Sequence, residues 1–455
     1  MRRWITGAAA WAAVLACLLF PAWARAGWTG GHDVVGSPVG SNVWYFAEGT
    51  TRPGFEEWIC LLNPNAEDTT ATLTYMLGTG RNVVKTYNLP ATSRTTVDVR
   101  SEVEAGNDVS VRVLSDEKIV AERPMYFRYN GVWTGGHDVL GANAPQRCWY
   151  FAEGTCRPGF DSYICLQNPG DGEAMVCISY MLGNGETRAQ DLKVKKNSRH
   201  TVVVKRFLGE GDDAAHDFSA KVETTNNTAI VAERPMYFNY QGAWTGGHDV
   251  VGALAPASAW YFAEGTCRPG FEPYLCIQNT SNLASKVRVS YMLGNGETRH
   301  QNLTVGKHSR STVAVKRFLG EGDDAAYDFS AKVETTNRVN IIVERPIYFN
   351  YQGAWTGGHD VVGALQPENR FFFAEGTCRP GFDPYLCVQN PGEAEARVLI
   401  NYMLGDGSIK TEQLAVGAKT RFTVSVKATL GEGDDPSHDF SAEVLCTDGP
   451  GVVVE

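Results

Sequence analysis

Four His-Asp pairs recur along the chain, at His32-Asp33, His137-Asp138, His248-Asp249 and His359-Asp360. An imidazole beside a carboxylate suggests acid–base catalysis or a metal ligand pair. On an extended segment, however, adjacent side chains point to opposite faces. No second histidine repeats in register, since Tyr327 stands where the neighbouring copies have His216 and His438. The pairs therefore read as structural turns or as packing between units. Carboxylates cluster elsewhere, as Glu210, Asp212, Asp213 and Asp217, as Glu321, Asp323, Asp324 and Asp328, and as Glu432, Asp434, Asp435 and Asp439. Calcium takes about six to eight oxygen ligands, and glycines among these acids let a chain wrap such an ion. Calcium is thus the one cofactor these loops would hold. The spacing is not that of an EF-hand, and the plainer reading is a solvated connection between strands.

Cysteines form a second pattern. Cys156/Cys165, Cys267/Cys276 and Cys378/Cys387 each bracket an Arg-Pro-Gly corner, and two strands joined by such a corner can bring their sulfurs within disulfide reach. Thr51 replaces the first cysteine of the first copy while Cys60 keeps the second, so the expected bridge is an embellishment. Cys60, Cys148, Cys177 and Cys446 are left over, with Cys148 and Cys177 in one unit as a conceivable pair. Trp58, Tyr163, Tyr274 and Tyr385 follow the same corner and are candidates to stack on sugar rings or to pack between units. Glu153 and Glu233 recur with Arg157 and Arg234. A glycosidase needs two carboxylates, but one pair per small repeat would mean four active sites without clefts. An ion pair tying the aromatic strand to the closing strand is the better expectation.

These residues sit in a repeat. Trp-Thr-Gly-Gly-His-Asp begins at Trp28, Trp133, Trp244 and Trp355, the later three 111 residues apart, and WYFAEGTCRPGF or a near copy begins at Trp44, Trp149, Trp260 and Phe371. The period divides the chain into residues 27–132, 133–243, 244–354 and 355–455 after a leader at 1–26. Each unit alternates apolar and polar residues in short runs closed by turn signals such as Gly183-Asn184-Gly185, and none shows helical periodicity beyond a turn. About seven strands per hundred residues is the pattern of an immunoglobulin-like β-sandwich, and the period is too long for a propeller blade. The fold class expected is all-β, as tandem immunoglobulin-like sandwiches. The Trp-Thr-Gly-Gly-His-Asp segment stands before the first unit, so it is expected to dock on the unit that follows it. Glu455 aligns with Glu344 just before Arg-Pro, so the fourth unit is expected to be cut short.

Arg2 and Arg3, the apolar run from Trp4 to Phe20 and Ala24-Arg25-Ala26 have the order of a secretory signal. No later apolar run approaches a membrane span. A net charge of −10 argues against nucleic acid as a partner. The combination of WYFAEGT-x-RPGF, Glu-Arg-Pro-Met-Tyr-Phe and Trp-Thr-Gly-Gly-His-Asp resembles a tandem repeat of secreted, mostly actinobacterial proteins with no established biochemical function. That resemblance implies an extracellular or cell-envelope β-sandwich array and supplies no catalytic residues. The function expected is a structural or adhesive stalk, or a multivalent array binding cell-wall polysaccharide or a surface protein. The alternative is an array of carbohydrate-binding modules. No G-x-S-x-G, H-E-x-x-H or phosphate-binding glycine loop points to an enzyme.

Overall fold

The computed structural model describes residues 29–455; the expected leader lies outside them. The second unit shows how the repeat is built. One sheet has the order Thr187–Val194, Ala174–Leu182, Phe218–Thr224, Cys148–Phe151. The other runs Ser198–Val203, Phe160–Asn168, Met236–Tyr240, Trp244–His248, with Val231–Glu233 also paired to Phe160–Asn168. Val176, Ile178 and Tyr180 alternate inward along one strand, and Phe218, Ala220 and Val222 along its neighbour, and all six are buried. Gly185 takes φ of 89° in the turn from Met181 to Thr187, a conformation glycine adopts without strain. The architecture is all-β, as tandem sandwiches. In the first unit two residues are missing between the strands that correspond to Phe218–Thr224 and Val231–Glu233. There Val109–Glu122 runs as one 14-residue strand through both sheets.

The Trp-Thr-Gly-Gly-His segments belong to the unit before them. Trp133–His137 pairs antiparallel with Met125–Tyr129, and Trp244–His248 with Met236–Tyr240. Leu140 then bridges to Glu122 and Ala142 to Tyr45, so the chain leaves the first unit only after Ala142. This corrects the expected docking on the following unit. A two-stranded hairpin joined by a short turn closes locally, which outweighs the linear order of the motif.

The four units close into a ring. Gln167 of the second unit donates to Val111 O of the first, Gln278 of the third to Ala220 O of the second, and Gln389 of the fourth to Ala331 O of the third, each at 3.2 Å. The joint from first to fourth has Leu62 in place of the glutamine, packed in one core with Phe372, Ala374 and Met403. There Arg94 Nη1 donates to Gly376 O at 2.8 Å, and Phe382 packs edge-on against Tyr126 at 5.9 Å. The N-terminal segment docks on the fourth unit: Gly36 N donates to Val454 O, as Gly141 N does to Ala121 O in the first. On the axis the glycine segments pack backbone to backbone. A Cβ on Gly246 would come within 2.9 Å of Gly357 Cα, one on Gly357 within 3.0 Å of Gly30 Cα, and one on Gly30 within 2.8 Å of Gly135 Cα. Only glycine allows this approach.

Candidate functional site

Around the axis the recurring Glu, Arg and Asp come together from different units. Arg123 follows the closing strand of the first unit. Its Nη1 donates to Glu48 of the same unit, and its Nη2 to Glu233 at 3.2 Å and Asp249 at 2.6 Å, both from the second. Arg234 repeats this with Glu153 at 2.9 Å, Glu344 at 3.1 Å and Asp360 at 2.5 Å. Arg345 does so with Glu264 at 2.7 Å, Glu455 at 2.9 Å and Asp33. The three arginines are fully buried. Glu153 and Arg234 are the expected tie between the aromatic strand and the closing strand. The carboxylates arriving from the neighbouring unit were not foreseen. Their signal lay in the period itself, since each Arg-Pro has a Glu and an Asp in register one repeat away.

Glu233 also accepts from Ala47 N at 2.6 Å and from Glu48 N at 3.2 Å, so the carboxylate splices two backbones. Glu344 does the same at Ala152 and Glu153. One guanidinium faces three acids in each cage, all buried around Arg123 and Arg234, whereas Glu264 and Asp33 beside Arg345 are partly exposed. Burial pushes Glu48 and Glu153 up to about 7, against the pull of Arg123 and Arg234. Asp249 and Asp360 are held well above the usual carboxylate range, first by burial and then by the charge of Glu233 and Glu344. A proton shared between each such pair lets the cage stay buried. Burial holds His137 and His248 well below the ordinary imidazole value and His359 at about 3, so these rings are neutral. The His-Asp pairs are thus axial packing groups. Among the described residues three His/Asp/Glu triads are compact enough for a metal ion: Glu153–His248–Asp360, Asp33–Glu264–His359 and His32–Asp138–Glu375. In the first two a guanidinium already sits on the carboxylates. Below the cages, Asp-Val-Val and Asp-Val-Leu turns from all four directions line an apolar axial cavity of about 210 Å³.

The acidic loops are arginine-clamped turns. Arg157 donates to Asp217 from Nε and Nη2, each at 2.8 Å, and to Asp212 from Nη1 at 2.8 Å. Asp213 caps Ala215 N at 2.8 Å, and Glu210 pairs with Lys205. Arg268 with Asp323 and Asp328, and Arg379 with Asp434 and Asp439, repeat the clamp. Asp324 and Asp435 cap their turns, and Glu321 and Glu432 pair with Lys316 and Lys427. The four carboxylates of each loop thus diverge onto separate partners and do not converge on one point, as a calcium site requires.

The expected disulfides are absent, because Cys156, Cys165, Cys267, Cys276, Cys378 and Cys387 are buried free thiols. Cys165 faces the joint with the first unit, with Thr201 Oγ1 and Arg199 Nη2 both at 3.6 Å. Cys276 and Cys387 meet Arg310 and Arg421 likewise, as Cys60 meets Arg94. Cys156 instead lies in its own unit's core, pushed up to about 12 by burial near Lys205 and Asp161. Cys148 and Cys177 both pair with Glu223, from opposite sides of its strand. They stand two strand spacings apart, roughly 9–10 Å, beyond bridging distance. The aromatic candidates are mostly taken into the joints. Tyr163 meets Tyr129 of the first unit hydroxyl to hydroxyl at 2.6 Å, and Tyr274 meets Tyr240 at 2.8 Å. Trp58 is half-buried, and Tyr385 alone is as much as 46% exposed.

No protein-family model matches the chain, and no curated protein does. Among solved structures, Thermotoga maritima 1070 is similar over 23% of this chain and 96% of its own, at 14% identity and a TM-score of 0.22. The Anabaena sensory rhodopsin transducer matches 18% of this chain and 93% of its own, at 22% identity and a TM-score of 0.17. A tetra-tandem repeat from the extending region of a large adhesion protein aligns over 86% of this chain and 91% of its own, at 11% identity and a TM-score of 0.10. Among the described residues no helix is long and apolar enough to cross a membrane.

Proposed function

We propose that this protein is a secreted, non-catalytic binding ring that engages a repetitive extracellular partner, a cell-wall polysaccharide or a surface protein, at several equivalent places. The observation that carries this reading is ring closure. It fixes four copies of one unit in register, so that each outer surface is offered repeatedly at a set spacing. Multivalent contact gains strength from such spacing without new contacts. A closed ring does not lengthen by adding units, which favours the surface-binding half of the expected role over the stalk.

The repeated titratable groups support a non-catalytic role. Arg123, Arg234 and Arg345 occupy three of the axial acid clusters, and the loop acids are clamped by Arg157, Arg268 and Arg379. The most repetitive exposed feature is the acidic turn itself, with Asp212, Asp323 and Asp434 about 80% exposed. The leader-like sequence at 1–26 supports secretion. The resemblance to secreted tandem repeats points the same way.

The test is binding of the full chain to isolated cell walls and to a glycan array, with calcium and with chelator. The expected result is retention on polymer or wall at least about a hundredfold tighter than on the matching short oligosaccharide or single surface domain. Equal affinity for monomeric and polymeric forms, or turnover of any bound glycan, would overturn the reading.

A further inference from the structure

The joint between the second and third units carries a groove of about 400 Å³, within the about 300–1,000 Å³ that small-molecule sites occupy. Its second-unit wall follows from the pleat. Phe151, Ile178 and Val222 are buried in the core, so their chain neighbours Tyr150, Ser179 and Lys221 face away from it. These three lie side by side across adjacent strands, Tyr150 opposite Lys221 and Lys221 opposite Ser179. The third unit covers part of this face: Met181 is buried, Tyr150 packs on the third unit's core, and Gln278 reaches Ala220 O. Thr280 and His308, from two turns of the third unit, supply the rest of the lining. His308 Nε2 lies 2.5 Å from Asn282 Oδ1, which holds the imidazole in place.

The charged pair in the groove does not hold the joint together. Lys221 Nζ donates to Glu223 Oε2 at 2.5 Å, and among the described residues neither forms an ion pair or side-chain hydrogen bond across the joint. The two charges cancel, yet they set a strong donor and a strong acceptor side by side. Around them stand a half-buried tyrosine ring and the hydroxyls of Ser179 and Thr280. That lining suits a neutral sugar. Its vicinal hydroxyls each give and take a hydrogen bond, and its C–H face packs on an aromatic ring. An anion would meet Glu223 and a cation Lys221, so either is disfavoured.

The next joint repeats the set. Between the third and fourth units stand Tyr261, Lys332 and Glu334, with Lys332 Nζ 2.6 Å from Glu334 Oε2 and 5.8 Å from the centre of the Tyr261 ring. The first unit has Arg112 and Leu114 at the positions of the pair, and the fourth has Glu443 and Leu445. The ion pair beside a tyrosine therefore belongs to two joints of the ring. Resting on the multivalent reading above, we propose that these two joints are saccharide-binding sites, each taking a neutral stretch of polysaccharide. The lysine–glutamate pair engages its hydroxyls and the tyrosine meets its ring.

The experiment titrates the full chain by calorimetry with neutral hexasaccharides of glucose, mannose, galactose and N-acetylglucosamine, with hexagalacturonate as the acidic control. Retention on the matching polymers is measured beside it. Saturable binding of at least one neutral hexasaccharide at two sites per chain is expected. Ser179→Trp fills the groove between the second and third units and should halve the number of sites. Retention on the polymer should then fall about a hundredfold, because one of two linked contacts is lost. Glu223→Gln keeps the volume of the groove and should weaken binding there about tenfold with the Tm unchanged; it decides the case if the tryptophan unfolds the chain. No neutral hexasaccharide bound at millimolar concentration, or equal binding of hexagalacturonate, overturns the proposal. Polymer retention that both variants leave unchanged overturns the groove and spares the multivalent reading. Hexasaccharide binding that the variants weaken, with no gain on the polymer, spares the groove and overturns that reading.

Discussion

The molecule uses one pair of residue types in two places. At the axis Arg234 meets Glu153, Glu344 and Asp360, with none of the guanidinium exposed. At the rim Arg268 meets Asp323 and Asp328 with about a third of its side chain in water. In the cage, burial raises the acids until a proton is held among them. In the turn, burial also works to raise Asp328, but hydrogen bonds from Arg268 and Thr266 hold it below its ordinary value. Composition is the same in both, and desolvation decides. The cage specifies which units meet and in which register, while the turn fixes one loop of one unit.

The widest separation between the two should come from removing the arginine. Arg234→Met leaves three buried acids without a cation and should cost about 3–5 kcal/mol. Arg268→Met should cost under about 1 kcal/mol, because water replaces the lost bonds. Urea unfolding of the two variants measures both. Equal losses would mean that burial does not distinguish the sites. Combining Arg234→Met with Glu153→Gln and Asp360→Asn should recover most of the loss, since the penalty lies in the unpaired charges.

Alkaline pH should separate them next. A carboxyl whose pKa is raised by folding stabilises the folded state while protonated. That contribution is full below the unfolded value near pH 4 and is lost as pH climbs through about 7 for Glu48 and Glu153 and about 8 for Glu122 and Glu455. The neutral histidines act in the opposite sense. Their lowered pKa values contribute fully above about pH 6.5 and are lost as pH falls below it. Asp328 and Asp439, held below their ordinary value, lose their contribution only near pH 4 and under. Thermal stability should therefore fall from pH 6.5 to 8.5 as the buried acids ionise, the cage acids and Glu57, raised by burial to about 8, among them. Glu48→Gln with Glu153→Gln should flatten that limb, while Asp328→Asn should leave it unchanged.

Thiol reactivity offers a smaller contrast of the same kind. Cys165, Cys276 and Cys387 are enclosed at the joints, whereas Cys148, Cys177 and Cys446 are half-buried. A thiol reagent followed by mass spectrometry should label the half-buried group first and reach the joint cysteines only on unfolding. The absence of any Cys156–Cys165 bridge in the native protein is part of the same outcome.

The single unit was readable in the sequence because period-two alternation and Gly-rich turns act over a few residues. Tyr180 facing inward beside Ile178 and Val176 follows from the pleat alone. The ring was not readable, since nothing local says that Glu233 leaves its own unit to bind Ala47 N. The cysteines misled for a related reason: a short spacing limits distance but not direction, and Cys165 turns toward Arg199 at the joint. The acidic turns misled because Arg157, more than fifty residues earlier, claims the carboxylates that proximity in sequence had grouped together. Interunit contacts were legible only as strict register, which marks residues as structurally equivalent without saying what they touch.

The finest test of burial lies in the tyrosine pairs. Tyr163 and Tyr129 share a 2.6 Å hydroxyl contact inside a filled joint, where Asp161 also accepts from Tyr129 at 2.9 Å. Tyr385 and Tyr351 share one of 3.1 Å between the third and fourth units, with Tyr385 46% exposed. Removing a buried hydroxyl partner leaves the other without its bond, so Tyr163→Phe should cost about 0.5–1.5 kcal/mol. Tyr385→Phe should cost a few tenths at most, roughly what an exposed bond is worth once water substitutes for it. Equal costs in the two variants would mean that burial does not distinguish the two hydroxyl pairs.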